Sequence, residues 1–374
     1  MKVTIKEVTN LKDRKRFVHF PNALFKDNPY YVPKVEMLIL AELNPKKNIV
    51  FSFCDCCCWL ALDSRGRIVG RVAGIINRHS NEKAGVARAR FGFLDFIDDD
   101  SVVDALFETV ENWAWKNGMK SLYGPHEFQD FDACGLLVDG FDEIPTAYTN
   151  YHAPYYEKHL LRRGYLKDKD YVQYKVVLPD NIKELFAPEA SAVAQRYHLH
   201  QADVSSRKKM SAYYRQCSKV LNDTYENVPG FHGITQKQAE EMFRRFNPRL
   251  NVDFVSIVLN EKEEVVAFGF GMPSLSKVLQ KLKGHISLPG YLRILHAIHH
   301  NDTIDLLMVG VAKEYQGKGV TSMLFDKVAP AILKYEIKFL ETTLEQEEHN
   351  PFKQMWNPFV YRLHKRMRCY MKNL

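Results

Sequence analysis

No stretch of this chain reaches the ~18 apolar residues in a row that a membrane-spanning helix needs. The amino-terminal segment MKVTIKEVTNLKDRKRFV alternates apolar with polar residues and has no apolar core of the secretory-signal type. A cytoplasmic protein without a membrane partner is the expectation. Cysteine is sparse and poorly spaced for a structural metal: of seven, Cys54, Cys56, Cys57 and Cys58 crowd together, and Cys134, Cys217 and Cys369 stand alone. Zinc sites draw ligand pairs from two separate places. The crowded run leads into Trp59-Leu60-Ala61-Leu62 and reads as a buried strand of reduced thiols, because free Cys packs as a small hydrophobe. His296, His299 and His300 share a helix face but lack the Glu of a His-Glu-x-x-His pattern, so no metal is expected. Charge of one sign is only slightly in excess, with 52 Lys plus Arg against 45 Asp plus Glu. That suits an anionic ligand; Arg207-Lys208-Lys209 and the basic positions from Arg362 to Arg368 read as solvated faces, and no nucleic-acid partner is expected. Gly and Pro, 19 and 16 of 374 residues, are too few for a fibrous or low-complexity chain.

What is present is an ordered alternation of strand and helix patterns. Val3 to Val8 alternates like a strand, and Leu11 to about Lys26 reads as a helix. Cys56 to Leu62, a turn at Asp63-Ser64-Arg65-Gly66, and Ile68 to Ile76 form a hairpin pattern. Arg90 to Phe96 is a further strand, followed by a helix with Val102, Leu106, Val110 and Trp113 at helical spacing, capped by Asp98 to Ser101. A strand at Lys120 to Tyr123 ends at Gly124-Pro125. The second half repeats the order: strands at Phe254 to Leu259 and Val265 to Phe270, an insertion, a strand at Ile304 to Val311, a helix from Val320 to about Lys334, and a strand at Ile337 to Leu340. At one fixed offset of 218 positions, Val102, Leu106, Phe107, Val110, Lys116, Lys120 and Leu122 fall on Val320, Leu324, Phe325, Val328, Lys334, Lys338 and Leu340. These identities at core-facing spacing argue for an internal duplication. The boundary is placed near residue 180, giving domains 1–180 and 181–374.

The halves differ where strand meets helix. The second reads Val309-Gly310-Val311-Ala312-Lys313-Glu314-Tyr315-Gln316-Gly317-Lys318-Gly319-Val320-Thr321, a glycine-containing loop opening a helix, where backbone amides and the helix dipole can hold a phosphate. At the same place the first half has Asp98, Asp99, Asp100 and Ser101. A P-loop fails because Val320 follows Gly319, and a Gly-x-Gly-x-x-Gly fingerprint fails because position 322 is Ser.

Gln316-Gly317-Lys318-Gly319-Val320 after an apolar strand resembles the pyrophosphate loop of the GNAT acyltransferases, Gln/Arg-x-x-Gly-x-Gly/Ala. Thr321 stands where Gly or Ala is usual, and Lys313 where Pro is frequent. The order that follows, a strand at Ile337 to Thr343, a helix after Asn350-Pro351 and a last strand at Met367 to Met371, is also that of GNATs. The first half, through Gly66 to Ala73, Tyr123-Gly124-Pro125, Cys134 to Phe141 and Asn150 to Tyr156, looks like a group of bacterial tandem-GNAT proteins. Tyr156 to Gly164-Tyr165 resembles the end of a GNAT helix.

The resemblance implies an α/β (α+β) chain of two tandem GNAT-like domains, each a mixed, mostly antiparallel sheet flanked by helices, the first degenerate and without a phosphate loop. It implies acyl transfer from acetyl-CoA or another acyl-CoA to a small-molecule or peptide amine by direct attack. Gln316, Gly317, Lys318, Gly319, Val320 and Thr321 would hold the pyrophosphate. A β-bulge near Val309 and Val311 would meet the pantetheine arm, and Asn350 belongs to the same cofactor set. Glu341 and Glu345 are the candidate bases and Tyr361 the candidate acid for the leaving thiolate; packing is the other reading of Tyr361. The insertion between Gly271 and Thr303 lies where GNATs build acceptor sites. The alternatives are a non-catalytic CoA-binding or scaffold protein of the same fold, and an aminoacyl transferase of the related doubled fold, against which the phosphate loop speaks. A monomer or a homodimer is expected.

Overall fold

The computed structural model describes residues 1–246, 250–350 and 352–374; of Arg245 and Phe246 it describes the backbone only. The elements run β1 (Thr4–Glu7), α1 (Leu11–Leu24), α2 (Glu36–Glu42), β2 (Cys54–Leu62), β3 (Ile68–Asn77), α3 (Arg78–Ala84), β4 (Arg88–Phe96), α4 (Asp100–Lys116), β5 (Ser121–Gly124), β6 (Leu136–Asp139), α5 (Tyr155–Arg162) and β7 (Leu166–Val177). The chain continues through α6 (Ile182–Tyr197), β8 (His200–Gln201), α7 (Arg207–Ser211), α8 (Tyr214–Tyr225), α9 (Gln236–Phe246), β9 (Val255–Leu259), β10 (Val265–Pro273), α10 (Ser276–Leu282) and α11 (Leu288–His299). It closes with β11 (Thr303–Val311), α12 (Thr321–Lys334), β12 (Phe339–Thr342), β13 (Glu345–Gln346) and β14 (Val360–Asn373).

Two compact units emerge, interleaved along the chain. Unit 1 holds Met1–Val172, Ser276–Tyr291 and His364–Leu374; unit 2 holds Gln173–Leu275 and Leu292–Leu363. The expected division at residue 180 was contiguous. The observed units change at Val172, inside β7, and unit 1 also takes part of the insertion and most of β14.

In unit 1 the sheet order is β1-β2-β3-β4-β5-β14-β7, with β6 on β14. The β2–β3 hairpin turns as expected: the Asp63 carboxylate accepts from the amides of Arg65 and Arg67 at 2.9 Å, and Gly66 supplies φ +74°. β4 and β5 are parallel, Arg88 opposite Ser121, and α4 is the crossover between them. Its buried face, Val102, Leu106 and Val110, lies against β3. At Gly74 a Cβ would come within 2.6 Å of the Trp113 ring, so only glycine lets helix and strand approach this closely. A second cluster under α1 gathers Phe17, Leu60, Ile75, Phe93 and Phe128.

Unit 2 repeats the plan. Its order is β7-β12-β11-β10-β9-β8; β11 and β12 are parallel, Thr303 opposite Phe339, with α12 as the crossover. β5 and β12 sit 218 positions apart, at the offset read from the sequence. The paired positions Arg88 and Ser121 are 33 residues apart, whereas Thr303 and Phe339 are 36 apart. The extra three residues fall in the loop between β11 and α12.

The carboxy-terminal elements require a correction. The helix expected after Asn350 to carry Tyr361 does not form: Lys353–Trp356 make a 3₁₀ turn, and Tyr361 lies at the start of β14. Pro351, at the expected start of that helix, lies outside the described residues. β14 begins seven residues before the expected last strand, at Val360. The charged residues that disguise it are paired: Arg368 donates to both Asp170 oxygens at 2.7 and 3.0 Å, and the Lys365 ammonium donates to the Ile144 carbonyl. Among the described residues no helix is long and apolar enough to cross a membrane.

Candidate functional site

The strand-to-helix junction of unit 2 is open. After Val311 come a 3₁₀ turn at Lys313–Tyr315 and the loop that enters α12. Gly317 and Gly319 take φ of +70° and +75°. Val320 supplies no side-chain cap, and the amides of Gly319, Val320 and Thr321 have no protein acceptor among the described residues. Unpaired amides at a helix amino end are an anion site. The loop is braced by Gln316, whose side chain donates to the Val311 carbonyl at 3.1 Å, and by Ser322, whose hydroxyl donates to the Gly319 carbonyl at 2.7 Å. Lys318 is exposed, its ammonium 5.1 Å from the Tyr197 ring centroid and 5.5 Å from that of Tyr315. A Cβ on Gly319 would meet a Glu189 carboxylate oxygen at 2.6 Å, so this position needs glycine for space as well as for φ.

The matching junction of unit 1 is closed. The Asp99 carboxylate accepts from the amides of Ser101 and Val102 at 2.9 and 3.3 Å, and from the Ser101 hydroxyl. His159 bonds Asp98 at 2.7 Å and lies 3.1 Å from Asp100, which Arg162 also meets. Helix amides capped by a carboxylate within a ring of further carboxylates leave no place for a pyrophosphate.

The residues proposed for the pantetheine arm stand differently from expectation. The irregularity of β11 against β10 falls at Leu307, between the pairs Phe270–Met308 and Gly271–Leu306, and not at Val309 to Val311. Val309 pairs with Gly269. The Val311 amide donates to the Thr224 hydroxyl oxygen at 2.9 Å, and its carbonyl accepts from Thr224 and Gln316. The end of α8 thus engages the Val311 backbone.

Of the candidate acid–base residues, Glu341 is buried on β12 and paired to Lys175 at 3.4 Å. Glu345 follows on β13, half-buried. Its carboxylate receives bonds from the Asn350 side-chain amide, the Trp356 indole at 3.5 Å and the Thr342 hydroxyl. Burial nevertheless pushes its pKa up to about 7, where a carboxylate can take a proton at neutral pH. Asn350 therefore orients Glu345; its carbonyl oxygen accepts from the Phe352 amide at 2.8 Å. Tyr361 is 38% exposed, its ring edge-on to Tyr174.

Unit 1 holds a constellation that sequence reading missed. A small pocket is lined by Lys34, Arg71, Asp95, His126, Glu127 and His152, with Phe93 and Asn150. Phe93 has φ +46° within an irregularity of β4 against β3. Asp95 holds Arg71 through two 2.7 Å contacts, and burial raises its pKa. The Lys34 ammonium donates to the Ala147 and Thr149 carbonyls at 3.0 and 2.9 Å; desolvation lowers it to about 8. Glu127 is raised to about 7 by desolvation and by Asp132, against the opposing charges of Lys34 and Arg71 and the Asn150 hydrogen bond. His126 and His152 are desolvated to about 3 and are neutral. These groups come from five distant places in the chain, so spacing carried no signal; the motifs Tyr123-Gly124-Pro125 and Asn150 to Tyr156 were the only trace. On the surface of unit 1, His19, Glu36 and His285 bring three possible ligand atoms within 4.8 Å of one another. His296 stacks on His300 at 4.1 Å.

Comparison with known proteins adds the fold's identity. No family model matches the chain. It is 24% identical to protein YghO of Escherichia coli (strain K12), over 99% of this chain and 95% of that protein. It is 25% identical to the bacterial ceramide synthase of Caulobacter vibrioides (strain NA1000 / CB15N), over 81% of this chain and 78% of that one. Among solved structures, a tandem GNAT protein from the clavulanic acid biosynthesis pathway, solved without AcCoA, superposes with a TM-score of 0.60 at 12% identity, covering 100% of this chain and 98% of the other.

Proposed function

We propose, from the premise that this chain has the tandem GNAT fold, that it is an acyl-CoA-dependent N-acyltransferase whose CoA-binding half is unit 2. The observation that carries this reading is the uncapped, glycine-lined amino end of α12, in a unit that also holds a carboxylate whose pKa burial raises to about 7. Acyl-CoA supplies an activated thioester. Gly319, Val320 and Thr321 offer amides to its pyrophosphate, and Lys318 adds an exposed cation. Glu345, oriented by Asn350, takes the proton that the acceptor ammonium must lose before its nitrogen can bond to the acyl carbon. As the carbon–sulfur bond breaks, Tyr361 is the proposed proton donor to the thiolate.

The acceptor we favour is the primary amine of a long-chain amino alcohol. α11 exposes Leu288, Tyr291, Leu292 and Leu295, an apolar stripe at helical spacing, which supports an apolar acceptor. One relative is named a ceramide synthase, and a ceramide is the amide of a fatty acid with such an amino alcohol. An assay of thiol release from acetyl-CoA and long-chain acyl-CoA over a panel of amines tests the reading. Release above hydrolysis, lost in Glu345→Gln with CoA binding retained, is expected. CoA binding with no amine-dependent release would favour the non-catalytic alternative.

A further inference from the structure

The duplication extends beyond the helix and strand that reveal it. Glu127 and Glu345 are 218 positions apart, the same offset that relates Val102 to Val320 and β5 to β12. Each follows the second parallel strand of its unit, and each carboxylate receives a hydrogen bond from an asparagine side chain, Asn150 in unit 1 and Asn350 in unit 2. Two halves that differ wholly at the phosphate junction thus agree at the acid–base position. Glu127 is only 8% exposed and lines a pocket. Burying a carboxylate there opposes folding unless something compensates.

The cations of that pocket are largely engaged, whereas two of its acceptors keep open lone pairs. Arg71 is matched by Asp95, and the Lys34 ammonium is bonded to two carbonyls. His126 is 6% exposed; its Nε2 is 3.0 Å from the Gln129 carbonyl and so carries the hydrogen, which leaves Nδ1 a lone pair with no partner. Glu127 receives one side-chain hydrogen bond, from Asn150 at 3.3 Å. A ligand that satisfies these atoms must donate hydrogen bonds, and a neighbouring oxygen on it would find Lys34.

We propose that unit 1 retains a second ligand site, independent of CoA, that binds the primary amine of an amino alcohol with Glu127 and His126 Nδ1 as the accepting atoms. The chemical class of the ligand rests on the amine-acylation reading above; the existence of the site rests on unit 1 alone. Because Asp99 closes the helix amino end, this site takes no pyrophosphate. Glu127 can accept the ammonium proton, which converts a carboxylate and an ammonium into a carboxylic acid and a free amine. The groups that face it and set its titration are Asp132, Lys34, Arg71 and Asn150.

The test uses the full chain without CoA and ethanolamine as probe, followed by saturation-transfer NMR. Glu345→Gln serves as background so that the unit 2 carboxylate contributes nothing. Ethanolamine is expected to bind this variant, more tightly as pH rises through about 7, and at least tenfold more weakly once Glu127→Gln is added. Equal binding with and without Glu127→Gln, or no binding at millimolar ethanolamine in the background variant, overturns the proposal. Should the double variant fail to fold, Asn150→Ala in the same background is expected to weaken binding severalfold and move its pH midpoint upward; unchanged binding and midpoint would overturn the proposal equally. A CoA titration of the same samples separates the two readings. Ethanolamine binding without CoA binding leaves this site standing and removes the proposed function, and the converse removes this site alone.

Discussion

The junctions of β4 with α4 and of β11 with α12 are the same piece of fold built for opposite ends. In unit 1 a capping aspartate consumes the first helix amides, and the junction stabilises the helix it begins. In unit 2 the passage is three residues longer, glycines at positive φ stand where unit 1 has Asp99 and Ser101, and the first amides of the helix have no protein acceptor among the described residues. The difference shows how a duplicated domain divides its work. A helix amino end that caps itself gains stability and loses its anion site; one that stays open gives up that stability for binding.

The largest expected effect lies on the chemistry proposed for unit 2. Glu345→Gln should lower turnover by about 10²- to 10⁴-fold, the range for losing a general base, with CoA affinity unchanged by calorimetry. A comparable loss of CoA affinity would mean that the residue shapes the loop and not the proton transfer. Next, Gly319→Val forces a β-branched residue to φ +75° and against Glu189. Strain of this kind should weaken CoA binding by at least about tenfold, and unweakened binding would sever the loop from the ligand. In unit 1, Asp99→Ala should reduce stability by about 1 kcal/mol, the usual worth of a helix cap, measured by denaturant unfolding, and leave CoA binding as it was. If it instead created a second CoA site, the aspartate would be the only thing separating the two junctions.

Glu345 also predicts a pH dependence whose sign is fixed. Its folded pKa of about 7 lies above the unfolded 4.5, so its contribution to stability is present below about 4.5 and is lost as pH rises through 7. Relative to wild type, Glu345→Gln should gain stability between pH 5 and pH 8 in thermal melts; a constant difference across that range would place the carboxylate in water. Smallest of all, Lys318→Ala should weaken CoA binding by about two- to fivefold in a salt-dependent way, as for an exposed ion pair.

Much of the fold was legible because period and punctuation agree in the elements that matter. The apolar face Val102, Leu106 and Val110 recurs at helical spacing, Asp63 and Gly66 mark a hairpin turn, and Gly317 and Gly319 interrupt a strand-to-helix passage with the two residues that tolerate its φ. The start of β14 was not legible, because Arg362, His364 and Lys365 look solvated; their neighbours Arg366 and Arg368 find Asp170, which is 196 and 198 positions away. Tyr361 was accordingly assigned to a helix and stands on a strand. The site in unit 2 was half legible. Glu345 is named for its place after a strand, but the partners that separate it from Glu341, the neutral Asn350 and Trp356 side chains against the Lys175 ammonium, are a tertiary property. The pocket of unit 1 left no local pattern, since Lys34, Arg71, Asp95, Glu127 and His152 meet only in the folded unit.

The central claim, one open junction and one closed, is tested most directly by the stoichiometry of CoA binding to the full chain by calorimetry. The expected result is one CoA per chain, abolished by Gly319→Val and indifferent to Asp99→Ala. Two CoA per chain, or one that survives Gly319→Val, would contradict it.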